Sequence, residues 1–384
     1  MSRVGESATG RITRREHELR AEGRSLVGFG AGEPHFVTPP KVQKAAHSAL
    51  DAGLTRYTAV AGLPDLREQI ARRFASRYGA PWERDHVIAT VGAKAALLEL
   101  ALVLFDEGDE VLIPSPCWVS LPEQVRLAGG EAQLVTMERA DGFTLRARPL
   151  IERMSPSTRA VLLNSPCNPT GARMSAVEME QLVEACAERQ ILLISDETYE
   201  CYVYDGEHVS ASQWAGSYPE TVVVVGSFSK TWAMTGWRLG WAAGPSELIA
   251  QLGVVQSHAT SNPTTFVMHA ALEALAEPED AVRARVGEYR RRRDQMVDGL
   301  QRLPGITCSR PSGAFYIFAD VGEALERRGL GSAAGLAEVF LEEAGVVVVP
   351  GEAFGDERSL RLSYACSSET LGEGLERLAE VLAS

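Results

Sequence analysis

The sequence predicts an α/β protein with a mostly parallel central sheet that is flanked by helices and accompanied by a smaller α+β domain. Short β-branched runs alternate with longer amphipathic stretches through the middle of the chain, and this alternation changes character in the last third. The run TVVVVG at 221–226 is apolar along its length, as expected of a strand buried on both faces. The predicted strands of the central sheet are 86–90, 110–113, 160–163, 191–195, 221–226 and 239–243.

The helices between these strands are predicted by amphipathic stretches such as 176–189. Ser175 stands just before that stretch, and Glu178 follows three residues later. This spacing predicts a capping box, in which two free backbone amides at the start of the helix are satisfied.

The smaller α+β domain is predicted by the last third of the chain. The run YRRRRDQMVDG at 289–299 indicates a long helix, and we expect the arginines at 290–293 to form its solvated face. The junction with the sheet domain is expected near this helix. Beyond it the pattern predicts a strand at 314–319, a helix at 333–343, a strand at 346–349 and a closing helix from about Ser368.

Composition excludes several classes of protein. A chain of 384 residues with 45% hydrophobic and 23% charged side chains is globular and long enough for two or three domains. The net charge of −13 argues against general binding of nucleic acid or anionic membranes, although local arginines can still bind an anionic small molecule. The apolar run 95–105 is shorter than a membrane span, and the first residues lack an apolar signal segment. We therefore expect neither a membrane span nor a secretory signal.

The six cysteines are scattered without a CxxC pair, which is typical of a reduced, cytoplasmic protein rather than a disulfide scaffold. Zinc-type ligand spacing and the HExxH motif are absent from the sequence. We therefore expect no metal site.

Functional groups of side chains and backbone follow four of the predicted strands. In an open α/β sheet, ligands bind outside the carboxyl ends of the strands, so these groups are expected to meet at one rim. They are Asp196 and Tyr199 after 191–195, Lys230 after 221–226, Asn168 after 160–163, and Gly92 with Ala93 after 86–90.

These residue types fit the chemistry of a phosphorylated pyridine aldehyde. Partial desolvation lowers the pKa of a lysine such as Lys230 and frees its amine for Schiff-base formation. A buried Asp196 can keep a pyridine nitrogen protonated, and the protonated ring is an electron sink. Asn168 and Tyr199 can both reach a phenolic oxygen beside the aldehyde carbon.

An anion site is expected at the same rim. The turn of Gly92 and Ala93 before a helix presents free backbone amides, and Ser227 and Arg238 can complete a phosphate cup. The sequence therefore predicts pyridoxal 5′-phosphate as the cofactor.

The sequence resembles the class I aminotransferases of the pyridoxal-phosphate fold type I superfamily, in particular the bacterial aspartate aminotransferases. The resemblance implies a large cofactor-binding domain at 39–282 and a small domain formed by 1–38 and 283–384. Matching motifs occur in family order: AGEP at 31–34, RYTAVAGLPDLRE at 56–68, VGAK at 91–94, PSPCWVSLPE at 114–123, NSPCNPTG at 164–171, SDETY at 195–199, SFSKTWAMTGWRLG at 227–240, RPSGAFY at 310–316 and RLSYA at 361–365.

The resemblance implies a role for each matching residue around the cofactor. Lys230 is expected to carry the covalent link and to move protons between Cα and the cofactor. Asp196 is expected to pair with the pyridine nitrogen, while Tyr199 and Asn168 bond the 3′-oxygen. Trp118 is expected to stack on the ring and, with Asn168, to border the substrate.

Substrate and partner contacts are implied in the same way. Arg361, with the backbone of Gly32, is expected to hold the α-carboxylate of the substrate. Tyr57 is expected to reach the cofactor phosphate of a neighbouring subunit, which makes the active unit a homodimer. Lys94 is expected beside the cofactor, and both Lys94 and Ser7-Ala8-Thr9 resemble elements used near a distal carboxylate.

Structural interpretations of these residues stay open at this stage. Asp196 can cap the turn that follows it, Asn168 can be only a turn former, and Arg361 can pair with a structural carboxylate. Trp118 can be a core residue, and Lys94 can be solvated. Two departures from the family pattern, Cys117 before Trp118 and Cys167 in the NPTG loop, can change the shape of the pocket.

We favour transamination from a dicarboxylic amino acid such as aspartate to 2-oxoglutarate. A β-elimination enzyme would use the same cofactor residues, and aromatic, prephenate or branched substrates would suit similar sequences. A non-catalytic ligand-sensing domain of a transcription regulator is a remote alternative, because no helix-turn-helix length and no basic footprint precede AGEP.

Overall fold

The computed structural model describes the chain from Ala8 to Ala383. Ser7-Ala8-Thr9 lies outside the residues whose side chains are described. The helices are α1 (Ala8–Ala21), α2 (Pro40–Asp51), α3 (Pro64–Tyr78), α4 (Ala93–Leu104), α5 (Ser120–Ala128), α6 (Ala147–Arg153), α7 (Ala176–Glu188), α8 (Phe228–Thr231), α9 (Ser246–Ala259), α10 (Thr265–Leu275), α11 (Glu279–Leu300), α12 (Gly322–Arg328), α13 (Ala333–Val339) and α14 (Ser368–Ala383). The strands are β1 (Val27–Gly28), β2 (Val87–Thr90), β3 (Glu110–Ser115), β4 (Glu131–Thr136), β5 (Thr158–Asn164), β6 (Leu192–Asp196), β7 (Val222–Ser227), β8 (Gly240–Ala243), β9 (Tyr316–Asp320), β10 (Val346–Val347), β11 (Val349–Pro350) and β12 (Ser359–Ser363).

A seven-stranded sheet, called the large sheet below, has the order β2-β8-β7-β6-β5-β3-β4. In this sheet β8 runs opposite to the other six strands, which are parallel to one another, so the predicted mostly parallel α/β fold is confirmed. Side chains alternate between the faces: Val222 and Val224 join one buried cluster, while Val223 and Val225 join the cluster on the other face. Helices cover both faces and bury these clusters.

The edge strand β4 was not among the strands predicted from the sequence. Of its six residues only Val135 is buried, because the strand has a neighbour on one side alone. A polar edge strand carries no apolar run for a pattern to detect.

The last third forms a separate layer around a three-stranded antiparallel sheet, called the small sheet below, with the order β11-β12-β9. Its core also includes residues near the start of the chain, since β1 pairs with β10 at Val27 and Val346. The division at 38/39 and 282/283 stays a prediction. None of the helices from Ala8 to Ala383 combines the length and the apolar character that a bilayer crossing requires.

Two local predictions were wrong in part. Ser175 Oγ accepts from the amide of Glu178 at 3.3 Å, but the Glu178 carboxylate accepts from the amide of Ala147, so only half of the capping box forms. The basic run on α11 is also not uniformly solvated, because Arg292 and Arg293 are buried. Arg293 donates to Pro311 O at 3.1 Å and pairs with Asp205 at 3.2 Å, a tertiary contact that the sequence does not reveal.

We expect Arg293→Ala to destabilise the protein by about 2 kcal/mol, because the buried carbonyl of Pro311 loses its donor and Asp205 loses one of its two arginine partners. Arg291→Ala on the same helix is the matched control, since that side chain is 73% exposed. Thermal melting followed by circular dichroism should show a lower Tm for the first variant only. Equal melting temperatures for the two variants would contradict the structural role of Arg293.

Candidate active site

The candidate site lies at the rim where the parallel strands of the large sheet end, facing the small sheet. Asp196 is the last residue of β6 and Ser227 the last of β7, and these two strands are neighbours. Arg361 lies on β12 of the small sheet and reaches Asn168, which follows β5. The site is therefore assembled from both sheets.

Lys230 lies on the short helix α8, directly after β7. Ser227 caps this helix, because its Oγ accepts from the amide of Ser229 at 3.0 Å. Lys230 Nζ donates to the carbonyl oxygen of Gly32. Burial lowers the pKa of Lys230 to about 8, outweighing the carboxylates of Glu33 and Asp196, which act in the opposite direction. The neutral, nucleophilic amine is therefore accessible near physiological pH.

Asp196 is buried at the end of β6, and burial raises its pKa to about 6. Its Oδ1 accepts from the amide of Thr198 at 3.1 Å, as in an Asx turn. The structural interpretation thus accounts for one oxygen of this carboxylate. A buried carboxylate at this rim is suited to a cationic partner such as a protonated ring nitrogen.

Tyr199 contacts a tyrosine to which the sequence analysis gave no role. The hydroxyls of Tyr199 and Tyr316 are 2.8 Å apart, and the rings meet edge to face. Burial raises the pKa of Tyr199 well above its usual range, so the phenol stays protonated. The RPSGAFY motif, which contains Tyr316, was the one feature of the sequence that pointed to this tyrosine. Its contact with Tyr199 depends on tertiary packing and leaves no local pattern.

Arg361 is the buried cation of the site, with 3% of its surface exposed. It donates to Asn168 Oδ1 at 3.0 Å and to Gly30 O at 2.7 Å, and it lies over the rings of Tyr316 and Phe354. Its Nε has no hydrogen-bond partner, and among the described side chains no carboxylate pairs with it. A structural carboxylate therefore does not explain why this arginine is buried, whereas an anionic ligand would.

A close approach of backbone and guanidinium forms an anion cradle at the N-terminus of α4. A Cβ at Gly92, which has φ +84°, would lie 2.7 Å from Arg238 Nη2, and a Cβ at Gly240 would lie 2.5 Å from the amide nitrogen of Ala93. Ser227 is paired with Gly240 in the sheet and lies beside the same turn. Free helix amides and an arginine together suit a phosphate.

Lys94 and Trp118 lie together at this rim. Lys94 Nζ is 4.9 Å from the centre of the Trp118 ring. Burial is the larger cause that lowers the pKa of Lys94, and the positive charge of Arg238 adds to it. Trp118 is half-buried rather than enclosed in the core. Tyr57 differs from the other predicted residues, because its side chain is 88% exposed on the surface of the chain.

The two departures from the family pattern are buried thiols. Cys167 Sγ lies 3.6 Å from Pro116 O, and the amide of Cys117 donates to Phe354 O. Burial raises the pKa of Cys117 to about 12 and that of Cys167 to about 11, so both stay protonated. Cys117 directly precedes Trp118 and Cys167 directly precedes Asn168, so both buried thiols belong to the loops that carry these residues.

The family description "Aminotransferase class I and II" matches residues 24–378, and the chain belongs to this family. The protein is therefore an aminotransferase with the fold that its motifs predicted.

Named relatives match this chain over nearly its whole length. It is 42% identical to a probable aspartate/prephenate aminotransferase of Aquifex aeolicus, over 100% of this chain and 97% of the relative. It is also 42% identical to the aspartate aminotransferase of Geobacillus stearothermophilus, over 97% and 95% of the two chains. The structure of the aspartate aminotransferase from Thermus thermophilus with maleate matches with a TM-score of 0.93 and 42% identity, covering 98% and 97% of the two chains.

The lowered pKa of Lys230 gives a direct prediction. Labelling by an amine-selective acylating reagent, followed by peptide mass spectrometry, should give a pH profile for Lys230 with a midpoint near 8 in the folded protein stripped of cofactor. The same peptide in the denatured chain is the control and should titrate near the ordinary value of 10.5. Identical profiles in the two states would show that the site does not activate this amine.

Proposed function

We propose that this aminotransferase uses pyridoxal 5′-phosphate to move the amino group of a dicarboxylic L-amino acid, best represented by aspartate, to a 2-oxo acid such as 2-oxoglutarate. One observation carries the proposal. Arg361, a buried arginine without a carboxylate partner, lies in the same site as Lys230, a lysine of lowered pKa. A carboxylate and an amino group on one carbon atom match this pair.

The residues present fit the cofactor. The cradle at Gly92, Ala93, Ser227 and Arg238 would hold its phosphate, Asp196 its ring nitrogen, and Tyr199 and Asn168 its 3′-oxygen. Trp118 would stack on its ring, and Lys230 would form the covalent link. When bound there, pyridoxal phosphate supplies a protonated ring that withdraws the electron pair left on Cα by deprotonation.

The side chains of the protein divide the remaining work. Arg361 binds the α-carboxylate and so orients the Cα–H bond, with the unpaired Nε available as a donor. Lys230 Nζ removes the proton from Cα of the donor and later delivers a proton to Cα of the new amino acid. Its pKa of about 8 suits it to both roles. The small sheet, which covers the rim, limits the access of water.

Lys94 is our candidate for the distal carboxylate of a dicarboxylic substrate. Its ammonium lies over the ring of Trp118 at the rim. The names of the relatives favour aspartate, and the names of some add prephenate. The structure of an aromatic aminotransferase from Pyrococcus horikoshii matches with a TM-score of 0.88 and 38% identity, over 95% of this chain and 98% of that one. The fold alone therefore does not determine which substrate side chain is accepted.

We also propose a homodimer that works in the cytoplasm. An aromatic residue as exposed as Tyr57 is suited to contact a second subunit, where it would reach the partner's cofactor phosphate. The six cysteines are unpaired thiols, which fits a reducing compartment.

The substrate proposal predicts a clear ranking of donors. With 2-oxoglutarate as acceptor, aspartate should give a higher kcat/KM than phenylalanine or leucine, measured by glutamate formation. Lys230→Ala is the control and should show no turnover while keeping its circular dichroism spectrum. Release of pyruvate and ammonia without any acceptor would contradict transamination and indicate β-elimination.

Loss of the carboxylate-binding guanidinium should act mainly on substrate affinity. We expect Arg361→Leu to raise KM for aspartate about 100-fold, because a charge-assisted pair in a buried site is lost. Arg361→Lys keeps the charge without the planar fork, so its KM for aspartate should lie between that of wild type and that of Arg361→Leu. Steady-state kinetics at several aspartate concentrations measure this, and an unchanged KM would place the carboxylate elsewhere.

A further inference from the structure

Arg139 connects the large sheet to the small sheet. It lies in the turn that follows β4, and 34% of its side chain is exposed. Its Nη1 donates to Asp320 Oδ2 at 2.9 Å and to Ser359 Oγ at 3.0 Å, while its Nη2 pairs with Asp356. Asp320 ends β9 and Ser359 begins β12, so one guanidinium ties a loop of the large sheet to two strands of the small sheet.

β12 is also the strand that carries Arg361. Ser359 and Arg361 are two residues apart, so they point to the same face of the strand. In the sheet register, Ser359 is paired with Asp320 and Arg361 with Phe318. The ion pairs of Arg139 therefore fix the end of the β9–β12 ladder next to the substrate-binding arginine.

A chain of aromatic contacts joins the two arginines by a second route. The guanidinium of Arg139 lies 5.3 Å from the centre of the Phe143 ring, and Phe143 meets Phe318 edge to face at 5.6 Å. Phe318 in turn meets Phe354 at 5.9 Å, and Arg361 lies 5.0 Å from the Phe354 ring. The contacts between Arg139 and Arg361 are thus continuous.

We propose that Arg139 is a positioning residue that holds β12 against the large sheet and so keeps Arg361 ready to bind the α-carboxylate. This inference rests on the proposed role of Arg361. A protein whose competent arrangement is only partly populated binds its ligand more weakly in proportion. Weakening the Arg139 contacts should therefore lower substrate affinity, while turnover at saturation, when substrate itself holds the site together, stays nearly unchanged.

The geometry of the contacts requires an arginine. Three acceptors from two strands and a loop are engaged by two nitrogens of a planar fork, an arrangement that a lysine ammonium cannot reproduce fully. Arg139→Lys should consequently rescue part of the effect of Arg139→Met. Arg290 offers a matched control, because it pairs with Asp205 at 2.8 Å between α11 and the loop after β6, away from β12.

The experiment compares wild type, Arg139→Met, Arg139→Lys and Arg290→Met as cofactor-loaded enzymes. We expect Arg139→Met to raise KM for aspartate about tenfold with kcat within twofold, Arg139→Lys to fall between, and Arg290→Met to match wild type. Succinate, an unreactive dicarboxylate, should bind Arg139→Met correspondingly more weakly by calorimetry. Amide hydrogen exchange at 359–363 should be faster in Arg139→Met only.

A double variant tests whether Arg139 acts through Arg361. If it does, Arg139→Met should add nothing to the KM of Arg361→Leu, because the residue to be positioned is already gone. Additive effects of the two changes would overturn the inference, as would a lower kcat with unchanged KM and succinate affinity, the signature of a merely structural role. Failure of wild type to transaminate would instead refute the proposed function, and hydrogen exchange at 359–363 would still test the Arg139 contact.

Discussion

Burial of the Arg361 guanidinium is the constraint on which the rest of the site depends. A cation removed from water is costly unless its donors are satisfied, and here an amide oxygen, a backbone carbonyl and two aromatic rings supply part of the compensation. The groups that supply it come from the segment before α2, from the loop after β5 and from the small sheet. Because these segments are far apart in the chain, the arginine can be held only when both sheets are in place. Burial of this cation therefore depends on the folding of both sheets.

The large sheet solves a different problem, which is to bring unlike functional groups together. Parallel neighbours β5, β6 and β7 end side by side, so an amide, a carboxylate and an amine converge without any long loop. The antiparallel strand β8 adds Arg238 to the same rim because it begins where the others end. Desolvation at this rim then moves the Lys230 and Asp196 pKa values towards each other, to about 8 and about 6.

How much the sequence reveals depends on whether the signal is local. The apolar strands, α7 and the groups that follow each strand were predictable, because burial on both faces and the ends of strands leave a pattern in consecutive residues. β4 was not, since an edge strand exposes most of its side chains. Tyr316 and Arg139 act through partners more than a hundred residues away, and Arg293 looks like any other member of a basic run until Pro311 and Asp205 pack against it. Such contacts are created by tertiary structure alone.

The antiparallel pairing of β7 and β8 has a consequence for how this protein can change. Ser227 and Gly240 sit side by side, so residues 228–239 form a closed loop whose two ends are fixed by the ladder. Lys230 and Arg238 both lie inside that loop, and its length sets the spacing between the Lys230 amine and the Arg238 guanidinium. Insertions or deletions in this loop would shift these two groups relative to each other. We therefore expect this closed loop to tolerate changes of length poorly.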